Sequence, residues 1–203
     1  MKLFYKPGAC SLAPHIALLA AGVDFDAVKV DTDTKTTEDG ASYLDITPKG
    51  YVPALQLDSG EVLTEAPAIL QYIADQNPEA DLAPANGTLD RARAQSYLNF
   101  VASEVHKAYG PFFAATPLSD EARPTAEAGV AKRLNIMEAE MADDRTYLLG
   151  DKFSVADCYF WVVINWSNFI GIDLGNWPKV KAYWERVSAL PALQTALKAE
   201  GLA

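Results

Sequence analysis

The sequence predicts a mixed α/β unit followed by an all-helical unit. Three observations carry this: a strand, helix, strand pattern within the first 30 residues, a hairpin pattern between residues 51 and 64, and almost purely helical periodicity beyond residue 89. A chain of 203 residues is long enough for one or two domains with proper cores.

Leu3, Phe4 and Tyr5 read as a first strand, residues 6–9 as a turn, and residues 11–21 as an apolar helix closed by Gly22. Residues 25–30 alternate toward a second strand, and residues 31–40, rich in threonine and acids, read as loop or frayed helix. Residues 51–57 and 61–64, joined by Asp58-Ser59-Gly60, read as an antiparallel hairpin and complete a four-stranded mixed sheet. Pro53 inside the first of these strands leaves two readings, an edge strand with a trans proline, which the residues slightly favour, or a cis Val52-Pro53 bond. Ile69, Leu70 and Ile73 place one buried face on a helix over residues 66–74. Residues 81–88 are the expected linker, so the predicted domains are 1–80 and 89–203.

Helical patterns run over residues 89–109, 123–141, 155–168 and 180–197. Ser154 and Asp157 form a capping-box signature, and the helix behind it, with Tyr159, Phe160, Trp161 and Trp166, is apolar almost all round. Such a helix belongs at the centre of a bundle, and its aromatics read as core rather than as a cofactor box.

A net charge of −10 argues against nucleic-acid or anionic-membrane partners, because phosphates would be repelled. No apolar run approaches the about 20 residues of a membrane span, no signal-peptide core develops, and Cys10 and Cys158 form no disulfide framework or metal motif. A cytoplasmic location and no metal are expected.

Cys10 stands where the first strand hands over to a helix. Unpaired N–H groups at a helix start favour a thiolate, which makes Cys10 a candidate nucleophile or thiol exchanger; the alternative is a small buried residue. His15, about 140° further round that helix, points away from the thiol. His106 shares a helical face with Asn99 and Ser103, either as a site or as a solvated polar stripe.

Taken together, KLFYKPGACSLAPHIALL, TPKGYVPAL, the Leu63-Thr64-Glu65-Ala66 turn and the segment from Phe153 to Asp157 resemble the bacterial beta-class glutathione S-transferases. The resemblance runs the whole length, to the closing Ala199-Glu200-Gly201-Leu202. It implies a thioredoxin-like first domain, a helical second domain and a homodimer, with the active site near the domain and subunit boundaries. Cys10 would face the glutathione sulfur and form a mixed disulfide with it, and Val52 would pair with the cysteinyl backbone. Glu65 and Ala66 would receive the γ-glutamyl end, and Lys35 the glycine carboxylate. Tyr5, Ser11 and Pro53 join the implied glutathione contacts. Asn99, Ser103 and Glu104 lie in the family's binding region, and His106 would approach the sulfur as the second catalytic residue. Tyr109, Phe112, Phe113 and Trp166 would wall the electrophile pocket.

Two positions depart from expectation. Ala66 stands where many of these transferases carry serine, and Ala13 stands where a thioredoxin has its resolving cysteine, which disfavours dithiol cycling on Cys10. The leading expectation is conjugation of glutathione to small hydrophobic electrophiles, a detoxification chemistry. The alternatives are glutathione-dependent thiol exchange or reductive dehalogenation on Cys10, and a carrier that binds without catalysis.

Overall fold

Leu3 and Phe4 are buried in the middle strand of a five-stranded sheet, ordered Thr36–Thr37, Asp26–Asp31, Lys2–Tyr5, Ala54–Gln56 and Val62–Thr64, where both neighbours cover the chain. In the computed structural model, which describes residues 1–203, strand β1 (Lys2–Tyr5) pairs parallel with β2 (Asp26–Asp31), Leu3 facing Ala27. It pairs antiparallel with β4 (Ala54–Gln56), Leu3 facing Leu55, and β4 continues into β5 (Val62–Thr64) through the expected hairpin. Gly60, at φ +90°, supplies the left-handed position that this turn requires. The parallel β1/β2 pair needs a crossover, and α1 (Leu12–Ala20) provides it. Phe4, Val30, Tyr43 and Ala54 form a buried cluster on this sheet, with Val52 and Val62 packed against it.

The sheet departs from expectation at two places. The polar stretch after β2 contributes a two-residue strand, β3 (Thr36–Thr37), antiparallel to Val30 and Asp31, which makes five strands rather than four. The Val52-Pro53 bond is cis, not the slightly favoured trans, and regular strand begins only at Ala54 instead of Tyr51. Helix α2 (Ala66–Gln76) buries Ile69, Leu70 and Ile73 as its period requires.

The chain divides into two compact units, Met1–Pro84 with Ala189–Ala203, and Ala85–Ser188. The break after Pro84 falls within the expected linker, but the tail does not stay with the helical unit. Helix α9 (Pro191–Ala199) packs on α1, because Leu193 and Ala196 are buried there and Glu200 reaches His15 and the Gly8 N–H.

The second unit holds α3 (Leu89–Phe100), α4 (His106–Tyr109), α5 (Arg123–Glu140), α6 (Val155–Asn165), α7 (Ser167–Ile170) and α8 (Pro178–Ser188). Thr88 starts α3 by accepting the Arg91 N–H at 3.1 Å. The helix expected over residues 89–109 is interrupted by a π-helical turn at Val101–Val105, a feature frequent at functional sites. Every residue from Val155 to Ile164 is buried, so α6 is the centre of the bundle, each large apolar side chain contributing about 1.5–3 kcal/mol. Its capping box forms as expected. The Asp157 carboxylate accepts four bonds, from Ser154 N–H (2.8 Å), Ser154 Oγ (2.7 Å), Leu148 N–H (2.8 Å) and Tyr183 Oη (3.0 Å).

Candidate active site

The turn that carries Cys10 is closed by Ser11. The fully buried Ser11 hydroxyl accepts the Lys6 N–H at 3.0 Å and donates to the Lys6 carbonyl at 3.2 Å, so it builds the turn and is not displayed to a ligand. Cys10 itself is partly exposed, and its Sγ donates to the Val52 carbonyl at 3.4 Å. Burial pushes this thiol up to about 12, with the Glu65 charge adding to the effect, and the backbone N–H groups of Cys10 and Ser11 only partly offset it. The thiolate expected from the helix start is therefore corrected: at neutral pH Cys10 is a protonated donor.

Val52 has its carbonyl engaged by Cys10, while its N–H makes no hydrogen bond within the chain. An unpaired N–H beside a strand is where an extended peptide adds itself. Lys35, in the left-handed region at φ 58°, donates from Nζ to the Gly50 carbonyl at 2.9 Å and stands 5.5 Å over the ring of the exposed Tyr51. Tyr43 ties both sides of this arrangement: its N–H donates to the Lys35 carbonyl and its hydroxyl to the Tyr51 carbonyl, each at 2.8 Å.

Glu65 precedes α2 with φ 70° and ψ 116°, a backbone that a non-glycine residue adopts at a cost of about 1–3 kcal/mol. Its carbonyl accepts the N–H groups of Ala68 and Ile69, and the Ala66 N–H at the head of the helix has no partner. The Glu65 carboxylate is held by Lys49 at 2.9 Å, and Lys49 also donates to Thr64 Oγ1 at 3.0 Å. This exposed pair contributes about 0–1 kcal/mol, weak enough for a ligand ammonium to displace it. Lys49 and Tyr51 are absent from the sequence-derived site, although both stand in the TPKGYVPAL segment that points to it. Tyr5 edges His15 at 5.7 Å between ring centroids, and burial, then Glu200, raises its phenol.

In the helical unit, Asn99 Nδ2 donates to the Gln95 carbonyl and Ser103 Oγ to the Asn99 carbonyl, both at 2.9 Å. Glu104 is paired with Arg133 at 2.9 Å. The straight face expected through Asn99, Ser103 and His106 assumes an unbroken α-helix, and the π turn alters that register. His106 Nδ1 meets Tyr159 Oη at 2.8 Å, and the ring stands 4.7 Å from Trp166, edge to face. Burial, helped by Lys107, pushes the imidazole down to about 4.

Trp166 also edges Tyr109 and Phe113, at 6.0 and 5.5 Å, which makes one aromatic cluster. Tyr109 is fully buried with its hydroxyl 2.6 Å from Ser167 Oγ, so it supports the cluster from behind instead of walling an open pocket. Phe113 is half exposed, and Phe112 stands under the Arg123 guanidinium at 5.6 Å. Tyr159, read from the sequence as core alone, also orients His106.

Residues 1–75 match the model of the glutathione S-transferase N-terminal domain, and residues 100–191 that of the C-terminal domain. The chain belongs to the glutathione S-transferase family. Glutathione S-transferase GstA of Escherichia coli O157:H7 is 41% identical over the whole of both chains. Two solved structures cover both chains fully: a bacterial beta-class glutathione S-transferase of Sphingomonas chungbukensis, 51% identical with a TM-score of 0.95, and a sphingomonad glutathione S-transferase complexed with glutathione, 53% identical with a TM-score of 0.94. The beta-class assignment and the two-part transferase fold therefore stand, and the protein is a glutathione transferase that uses glutathione as co-substrate.

In this transferase a neutral His106 follows from its surroundings. The native state resists protonating the ring, so stability is fully present above about pH 6.5 and declines as pH falls toward 4. The ring carbons should hold their neutral chemical shifts from about pH 8 down to about pH 5.5; a titration centred near 6.5 would contradict the burial argument. When Tyr159 donates to Nδ1, Nε2 carries the proton and can donate to a thiolate; when Tyr159 accepts, Nε2 offers a lone pair.

Proposed function

We propose that this transferase binds glutathione as an added strand beside Val52 and uses the glutathione sulfur to attack small hydrophobic electrophiles. The observation that carries this reading is the pair of unpartnered backbone donors, Val52 N–H and Ala66 N–H, in the same unit as the Cys10 thiol. Val52 N–H takes the cysteinyl carbonyl, and Ala66 N–H takes the γ-glutamyl carboxylate at the helix head, where the dipole favours an anion. Glu65 releases Lys49 to meet the ligand ammonium, and Lys35 meets the glycine carboxylate. Ala66 removes a hydroxyl that a serine would offer and keeps the backbone donor.

The attacking sulfur is assigned to glutathione, because a Cys10 thiol pushed up to about 12 has almost no thiolate at neutral pH. The Cys10 S–H instead turns from the Val52 carbonyl to donate to a neighbouring glutathione thiolate, which lowers the cost of that charge. His106 Nε2 is the second donor in this reading, and Phe112, Phe113 and Trp166 supply apolar wall for the electrophile. With oxidised glutathione, Cys10 exchanges: its sulfur bonds to one glutathionyl sulfur, the disulfide breaks, and reduced glutathione leaves with the Cys10 proton. A homodimer in which Asn99 and Glu104 serve the neighbouring subunit's site is part of the same reading, as is a cytoplasmic setting.

The test is thermal stability. Reduced glutathione at about a hundredfold excess over its Kd should raise stability by about 2.7 kcal/mol, visible as a melting temperature that climbs with concentration through the millimolar range. A flat melting temperature counts against both the transferase and the carrier reading, and turnover of an aryl halide separates those two.

A further inference from the structure

Arg123 stands in the first turn of α5, where the helix dipole disfavours a cation, so its place there is not explained by the helix it starts. Its guanidinium makes three contacts at once. Nε donates to Glu127 Oε1 at 2.7 Å, Nη2 donates to the Ile170 carbonyl at 2.5 Å, and Cζ lies 5.6 Å over the Phe112 ring. The Glu127 pair lies within α5 and is partly exposed, so it contributes little.

The other two contacts join separate segments. Ile170 is the last residue of α7, and Gly171 turns the chain there at φ +76°. Arg123 therefore caps a carbonyl that this four-residue helix cannot pair itself, beside the closing bond from the Ile172 N–H to the Ser167 carbonyl at 3.0 Å. Phe112 belongs to the other segment, where the next residue, Phe113, edges Trp166 at 5.5 Å, and Trp166 leads directly into α7. The inner end of this pair of segments is fixed where the Tyr109 hydroxyl lies 2.6 Å from Ser167 Oγ. Arg123 fastens the outer end, so the spacing between residues 112–113 and residues 166–170 is set at both ends.

We infer that Arg123 is a positioning residue for the electrophile: by tying Phe112 to the end of α7 it holds the two aromatic segments at the separation an electrophile enters. The clamp stands on the contacts themselves; its link to the electrophile rests on the proposed conjugation. The experiment compares Arg123→Met, which keeps an apolar stem and removes the guanidinium, with Arg123→Lys, whose single ammonium meets Glu127 or Ile170 but not both, and with Glu127→Gln, which loosens the ion pair alone. The glutathione-free readout is hydrogen exchange of the Ile172 amide, and the kinetic readout is KM for a single-ring aryl halide. Arg123→Met should speed that exchange about tenfold and raise the aryl-halide KM about fivefold, with kcat and the KM for glutathione within about twofold. Arg123→Lys should fall between, and Glu127→Gln should stay within about twofold of wild type in both readouts. A Met variant that melts lower yet keeps the wild-type exchange and KM overturns the inference, as does a Glu127→Gln variant that matches it in both. Faster exchange with an unchanged aryl-halide KM upholds the clamp and overturns its link to the electrophile. Wild-type protein that turns over no aryl halide refutes the conjugation reading, and exchange alone then decides the clamp. Should Arg123→Met fail to fold, Arg123→Lys decides by the same readouts: faster exchange with a raised KM supports the inference, and wild-type values in both overturn it.

Discussion

Cys10→Ala should lose the mixed disulfide and all thiol transfer while keeping conjugation of an aryl halide within about tenfold of wild type. The two activities part because different sulfurs do the work. Thiol transfer needs a protein sulfur to bond to glutathione, and Cys158, buried in α6 with its thiol raised well above the ordinary range, cannot substitute. Conjugation needs only the glutathione sulfur, with Cys10 Sγ as one donor near it; a thiol is a weak donor, and losing one ordinary hydrogen bond costs about 0.5–1.5 kcal/mol, which is about tenfold at most when others remain. The bond from Cys10 to Val52 is a long one at 3.4 Å, so the alanine variant should still fold. Both rates and the thermal melt would be measured on one preparation. Complete loss of conjugation in a folded variant that still binds glutathione would make Cys10 the nucleophile for all chemistry.

Asp157→Ala should be the most destabilising single change outside the apolar core. Its fully buried carboxylate accepts from two backbone N–H groups and two hydroxyls, and truncation leaves those donors without partners at the head of the central helix. Loss of a cap alone costs about 0.5–2 kcal/mol, and each stranded buried donor adds about 1–3. The expected loss is therefore about 3 kcal/mol or more, and the urea midpoint should fall by about 1 M or more. Burial pushes the Asp157 carboxyl up to about 6 against the pull of its donors, so the folded state holds the proton more tightly than the unfolded chain. Its ionisation therefore lowers stability as pH rises from about 4 to about 6, opposite in sign to the His106 effect, and the comparison belongs at neutral pH, where both have levelled off. A midpoint within about 0.2 M of wild type would show that α6 does not depend on this carboxylate.

Local chemistry was legible where a short pattern has one physical meaning. The Ser154/Asp157 spacing can hardly do anything but cap a helix, and the apolar run behind it can hardly lie anywhere but in the core. The Asp58-Ser59-Gly60 hairpin and the β1-α1-β2 unit were legible for the same reason. Contacts at long separation were not. Nothing in the tail indicates that Glu200 reaches His15 and Gly8, which is why residues 189–203 were assigned to the helical unit. Propensity cannot distinguish a π turn from α-helix at Val101–Val105, and two threonines in a polar loop give no sign of pairing with Val30 and Asp31.

The candidate site divides along the same line. Residue identities came through the resemblance, but the state of each group depends on burial that spacing does not encode. A helix start alone argues for a Cys10 thiolate, and desolvation in the folded turn reverses the sign. Ser11 and Tyr109 look available in the sequence and are engaged inside the fold, one by Lys6 and the other by Ser167.

The most direct measurement of the central claim is a nitrogen-15 amide spectrum recorded while reduced glutathione is added. The account predicts that the Val52 and Ala66 amides, unpaired in the chain, move together along one saturable curve as each gains a carbonyl or carboxylate acceptor. The Gln56 amide, within β4 paired to β1 and β5, should stay in place. Saturable binding that leaves Val52 and Ala66 unmoved would contradict the account, because glutathione would then lie elsewhere on the molecule.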